Sequence, residues 1–132
     1  MIALNRKQGL HTLALLDLDP TGEGTGGQRP MQPLDAGEAI IRMAEKLSDS
    51  LEHLSRDSNN DELKFEASSE ICEDISSLMV VLCSDMGTNN QSISYLPVSE
   101  LANANTGGLH CLVIPADPSD VELTALSRWS KK

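Results

Sequence analysis

Two apolar runs, one near each end of the chain, begin with the same three residues and constrain the fold more than anything between them. The first is Gly9-Leu10-His11-Thr12-Leu13-Ala14-Leu15-Leu16-Asp17-Leu18-Asp19-Pro20, and the second is Gly108-Leu109-His110-Cys111-Leu112-Val113-Ile114-Pro115. Apolar, β-tolerant runs of this length with turn signals at both ends predict buried strands rather than helices. Two strands that open Gly-Leu-His are expected to lie in one sheet, with a histidine near the start of each.

Between them the pattern changes several times. Gly22, Gly24 and Gly26 follow the first strand, as in a phosphate-cradling loop. That mechanism needs a helix to open on the last glycine, and Gln28-Arg29-Pro30-Met31-Gln32-Pro33 intervenes, so a flexible surface loop is expected. Asp35 with Glu38 has the form of a capping box. Ile40, Ala44, Leu47, Leu51 and Leu54 then recur every three or four residues, the stripe of an amphipathic helix running to about Ser55. His53 falls on its outer side, as a solvated imidazole. Residues 56–76 are rich in Asp and Glu without the spacing of a calcium loop, and are expected to form a mobile acidic connection.

Leu78-Met79-Val80-Val81-Leu82-Cys83 predicts a second strand, closed by Asp85-Met86-Gly87-Thr88-Asn89-Asn90. Gln91–Leu96 alternates polar and apolar residues, as a half-exposed or edge strand does, and 97–101 reads as a short helical turn. Asp117, as N-cap, with Pro118 at the first helical position starts a last helix, whose apolar side is Val121, Ala125, Leu126 and Trp129. The fold class expected is α/β: one domain over 1–132, with a single mixed sheet of about four to five strands and two main helices packed on it.

Charge narrows the function. Ten basic residues against 20 acidic ones leave a net charge of −10, opposite in sign to what binding nucleic acid or an anionic membrane surface requires. Three cysteines, Cys72, Cys83 and Cys111, have no close spacing, and no apolar run approaches the roughly 18 residues of a membrane span. A reducing, cytoplasmic setting fits them. No G-x-S-x-G elbow accompanies His11 or His110, and no C-x-x-C or H-x-x-x-H spacing supports a metal site at His11, His110, Cys83 and Cys111. Residue types alone thus assign no catalytic residue and no metal ligand.

Asn5-Arg6, Gly9-Leu10-His11-Thr12-Leu13 and Leu15-Leu16-Asp17 resemble the start of the C-terminal domain of diphthine synthase, an S-adenosylmethionine-dependent methyltransferase of diphthamide biosynthesis. The likeness continues in family order. Met31–Leu47 is similar to a tyrosine-methionine-containing segment followed by its Ala-rich helix. Met79–Cys83 with Gly87-Thr88-Asn89-Asn90-Gln91 is similar to the strand and turn carrying Ala-Arg-Val-Gly. Gly108–Pro115 is similar to the Gly-Glu-Pro-Leu-His-Ser-Leu-Ile strand, and 121–129 to the last helix. Asp85 stands where the family tends to have arginine, and Thr106-Gly107-Gly108 replaces Gly-Glu-Pro.

The resemblance implies that contacts to the methyl donor fall on Leu16, Met86 and His110, with no catalytic acid or base. Methyl transfer from a sulfonium depends mainly on alignment. It also implies elongation factor 2, with its modified histidine, as protein substrate, and leaves room for a homodimer. The glycine-rich N-terminal domain of that family has no counterpart in the chain. This reading expects half of an enzyme, inactive alone, or a truncated remnant that serves as an interaction module.

Overall fold

The computed structural model describes residues 1–16, 30–54, 70–104 and 108–130. Four strands form one sheet in the order β1-β4-β2-β3, with β1 Thr12–Leu15, β2 Met79–Ser84, β3 Ser92–Pro97 and β4 His110–Ile114. Every pairing among these four strands is antiparallel. The two Gly-Leu-His runs are hydrogen-bonded neighbours, Thr12 opposite Ile114 and Leu15 opposite Cys111. Antiparallel pairing sends their histidines to opposite ends of the sheet, so the repeated tripeptide does not build one site.

β4 explains the core. Its residues alternate buried and half-buried from His110 to Ile114, because successive side chains leave a strand on opposite faces. Leu112 and Ile114 join Val80, Leu82, Leu96 and Leu16 on the inner face. Helix α2, Pro33–Leu54, lays Ala36, Ile40, Ala44 and Leu51 over that face or beside it, the stripe expected from the sequence. The chain crosses under α2 in a 3₁₀ turn, Val98–Asn103, whose Val98 and Leu101 are fully buried. Gly37 is where the two meet: a β-carbon there would lie 3.2 Å from Leu101 Cβ. Each large aliphatic side chain in this layer contributes about 1.5–3 kcal/mol by leaving water.

Several boundaries differ from expectation. α2 opens at Pro33, so Asp35 lies in its first turn rather than capping it, and its Oδ2 accepts the Gln32 N–H at 3.0 Å. The final helix, α3, spans Asp120–Ser127 and is capped by Ser119, not Asp117. Ser119 and Glu122 exchange backbone hydrogen bonds as a capping box, which outbids a lone Asp-Pro signal. None of the residues of α3 is buried, and Trp129 is half-exposed, its carbonyl accepting the Tyr95 N–H on the edge of β3.

β1 is an edge strand instead of a buried one. Leu13 and Leu15 are 62% and 73% exposed on the face away from α2. Ahead of it stands a short helix that the sequence reading omitted, α1, Ile2–Lys7. Gly9, with φ +72°, ends it. The Leu10 N–H reaches Asn5 O at 2.8 Å and the Gly9 N–H reaches Arg6 O at 3.1 Å, the paired bonds of a Schellman closure. Six residues are too few to hold a helix alone. Tertiary bonds hold it: Asn5 to Thr12 Oγ1, Arg6 to the Pro115 carbonyl, and Lys7 to Glu70.

The glycine-rich loop at 21–29, the end of the first expected strand at 17–20, the side chain of His53 and the acidic stretch through residue 69 lie outside the described residues. Residues 70–73 and Ile75–Ser77 are helical turns, and Cys72 donates to the Ala44 carbonyl of α2. Among the described residues no helix is long and apolar enough to cross a membrane.

Candidate functional site

One end of the sheet gathers the residues singled out by resemblance. Register puts Leu16, His110 and Ser84 in a single row: the Leu16 N–H donates to His110 O at 3.3 Å, and Ser84 is the direct partner of His110. The bond from Asp85 N to Leu109 O, 2.8 Å, makes 85 and 109 a hydrogen-bonded pair. The alternation of an antiparallel ladder then makes Ser84 and His110 a non-hydrogen-bonded pair, in which side chains approach most closely. They use that closeness, with Ser84 Oγ and His110 Nδ1 2.8 Å apart and both residues buried.

The other nitrogen of the ring has no such match. His110 Nε2 is buried and has no hydrogen-bond partner among the described residues. Whichever tautomer Ser84 selects, one polar atom is left unmet, at a cost of about 1–3 kcal/mol. Such an exception to the pairing of buried polar groups points to a strained or functional position.

The turns beside this row are tightly specified. Asp85 has φ +49° and Gly108 has φ +74°, both in the left-handed region. Asp85 Oδ1 accepts the Leu109 N–H at 2.9 Å, and a β-carbon on Gly108 would run into that carboxylate. The Asp85 carbonyl takes two bonds from Thr88, and the Gly87 N–H donates to Gln91 Oε1, so Met86 sits on an anchored turn, half-exposed. The acidic side chain at 85 is thus committed to the strand that carries His110.

The arrangement brings together the three expected cofactor residues unequally. Leu16 and His110 are joined by a hydrogen bond, and Met86 lies two residues beyond Ser84 on the adjoining turn. The Leu16 side chain belongs to the hydrophobic core, so anything it offers a ligand is main chain. Met86 offers apolar surface, whereas the unmatched Nε2 of His110 is buried. Ser84 was missed by sequence reasoning. Only the register of β2 against β4 reveals it, since a serine after an apolar run reads as the end of a strand.

His11 plays a different part. The Ala116 N–H donates to its Nδ1 at 3.0 Å, which leaves the ring proton on Nε2 to donate to Glu122 Oε1 at 3.1 Å. The Ser119 N–H, followed by His11, holds the Glu122 carboxyl below its ordinary range. Both ring nitrogens are engaged in fastening α3 to the start of β1, and none is left for a nucleophile. Among the described residues no three His, Cys, Asp or Glu side chains gather as a metal site would require.

Two cavities lie elsewhere. A 750 Å³ groove beside α1 is lined by Arg6, Lys7, Glu70, Asp74 and Asp117 among others, and a 210 Å³ gap separates α3 from Val81 and Val113. Neither includes Leu16, Met86 or His110.

Comparison with solved structures gives the fold a relative. The chain superposes on a candidate diphthine synthase from Entamoeba histolytica with a TM-score of 0.69 and 26% identity, over 99% of this chain and 43% of that one. A conserved hypothetical protein of Aeropyrum pernix K1 matches at 0.65 and 24%, covering 96% of this chain and 36% of that one. A further diphthine synthase matches at 0.62 and 19%, over 98% and 38%. The fold is therefore diphthine synthase-like, and the chain spans less than half the length of each of these structures. No protein-family model matches the sequence, and no curated protein does.

Proposed function

We propose that this chain is the C-terminal domain of a diphthine synthase-like, S-adenosylmethionine-dependent methyltransferase. The observation that carries the reading is the superposition along essentially the whole chain on the Entamoeba candidate diphthine synthase. The buried, unmatched Nε2 of His110 supports it, because a cofactor with polar edges would supply the missing partner.

S-adenosylmethionine supplies an electrophilic methyl group on a sulfonium centre when it is bound. The chain's own contribution is binding and orientation. His110, held in one rotamer by Ser84, offers Nε2 to a polar edge of the ligand; Met86 supplies apolar contact; Leu16 contributes main chain at the rim. Alignment of this kind accounts for most of what such a transfer needs from a protein. In this reading the acceptor is the modified histidine of elongation factor 2, and the domain works in the cytoplasm. A domain like the N-terminal one of that family, or a second copy in a homodimer, would cover the exposed Leu13 and Leu15.

A half-site binds weakly. Isothermal titration of the chain with S-adenosylmethionine is expected to give no affinity in the micromolar range. Fusing the chain behind the preceding segment of the Entamoeba protein, in place of its matching part, is expected to restore micromolar binding. His110→Ala in that fusion should weaken it by about tenfold, one to two hydrogen bonds' worth. Micromolar binding by the chain alone would contradict the half-site. A folded fusion that binds nothing would leave the interaction-module reading in its place.

A further inference from the structure

The outer face of the sheet carries a pair of thiols that the proposed function does not use. Cys83 on β2 and Cys111 on β4 are direct partners in the ladder. They sit in the middle of the row Leu15–Cys111–Cys83–Ile93, and both are free and half-buried. The bond between Asp85 and Leu109, two residues away, makes 83 and 111 a hydrogen-bonded pair. In such a pair the α-carbons are about 5.5 Å apart, inside the window of roughly 4.4–6.8 Å that a disulfide spans. Successive residues alternate faces, so both thiols leave the sheet on the side away from α2. The sulfurs are brought to bonding distance by a small local shift of the two strands that closes their β-carbons.

We propose that Cys83 and Cys111 form a reversible cross-strand disulfide, a modification site on the outer face of the sheet. The oxidant class is a peroxide. The Cys111 thiolate attacks a peroxide oxygen, the O–O bond breaks, and a sulfenic acid and one water result. The Cys83 sulfur then displaces the sulfenic oxygen as a second water, and the S–S bond forms. Two thiols lose two electrons and two protons, and one peroxide becomes two waters. Burial, and next the neighbouring Cys111, push the Cys83 thiol above its ordinary range.

Location gives the bond a consequence. Cys83 immediately precedes Ser84 and Cys111 immediately follows His110, so the bridge ties β2 to β4 beside the buried pair. A bridge formed across a hydrogen-bonded pair must draw its β-carbons inward from about 5 Å to about 4 Å. Strain of that kind makes a disulfide easy to reduce again. Cys72 takes no part, its thiol being engaged with the Ala44 carbonyl across α2.

The test is thiol counting and peptide mapping of the folded chain after treatment with hydrogen peroxide. Two of the three thiols should disappear without a reductant, with a mass lower by two hydrogen atoms and one linked peptide joining residues 83 and 111. Dithiothreitol should restore all three. Cys72→Ser should behave as wild type, and Cys83→Ser or Cys111→Ser should form no link within the chain. Phenylarsine oxide, which needs two adjacent thiols, checks the geometry without oxidation. It should bind one per chain to wild type and to Cys72→Ser, and to neither single variant of the pair. A link through Cys72, separate sulfinic acids at 83 and 111, or failure of the arsenical to bind Cys72→Ser would overturn the proposal.

Discussion

Replacing Ser84 and His110 together, as Ser84→Ala with His110→Leu, asks whether this end of the sheet keeps a polar pair against the domain's own stability. In the wild type, Nε2 is buried with no partner among the described residues, a liability of about 1–3 kcal/mol. The bond between Ser84 Oγ and Nδ1 returns about 0.5–1.5 kcal/mol. The double variant deletes both effects and adds apolar area at a position only 6% exposed. The expected net change is a gain of about 1–2 kcal/mol, a rise in Tm of roughly 3–8 °C for a domain of this size. Ser84→Ala alone goes the other way, since it removes the bond and leaves Nδ1 unmatched as well, costing about 1–3 kcal/mol. Urea unfolding followed by circular dichroism, run on all four members of the double-mutant cycle, reads these differences directly. A double variant less stable than wild type by more than about 1 kcal/mol would refute the reasoning, and with it the claim that the site holds an unpaired group in reserve.

Gly108→Ala forces a side chain into a left-handed residue whose β-carbon would collide with the Asp85 carboxylate. It should destabilise the fold by about 1–3 kcal/mol, read as a lower urea midpoint, and Asp85→Gly in the same chain should recover part of the loss. Glu122 is held below its ordinary range by Ser119 and His11. A carboxyl depressed in the folded state contributes stability that is present above its unfolded value and is lost as pH falls through the folded one. Stability measured from neutral pH downward should therefore fall less steeply in Glu122→Gln than in wild type; parallel curves would count against the capping role.

The likeness of the two Gly-Leu-His runs was legible in the sequence, and so was their membership of one sheet. Their use was not. Gly9 closes a helix by a Schellman bond pattern, whereas Gly108 makes room for the Asp85 carboxylate. Both need φ above zero, and glycine alone does not say for which purpose. α1 escaped notice because six residues carry little helical periodicity, although Arg6 and Lys7 in its last turn followed by Gly9 are stop signals of a helix. The start of α3 was misplaced by two residues because Asp117-Pro118 competes with the capping box of Ser119 and Glu122, and the reciprocal pair prevails.

Of the candidate site, Leu16, Met86 and His110 came from resemblance, and their grouping at one end of the sheet depends on register. Ser84 and the unmatched Nε2 emerge only in the tertiary structure. Hydrophobic periodicity and turn chemistry are local quantities, and they determined the class, the approximate number of strands, the stripe of α2 and the alternation of β3. Which strand lies beside which, and which ends meet, is decided by long-range hydrogen bonds whose partners stand up to about a hundred residues apart in the chain, as Leu16 and His110 do. Once β1, β4 and β2 are side by side, a one-residue slip would turn His110 and Leu112 out to the open face and Cys111 and Val113 inward. Burial of the apolar face forbids that slip. The same constraint that packs Leu112 therefore seals His110 against Ser84 and sets Cys83 opposite Cys111.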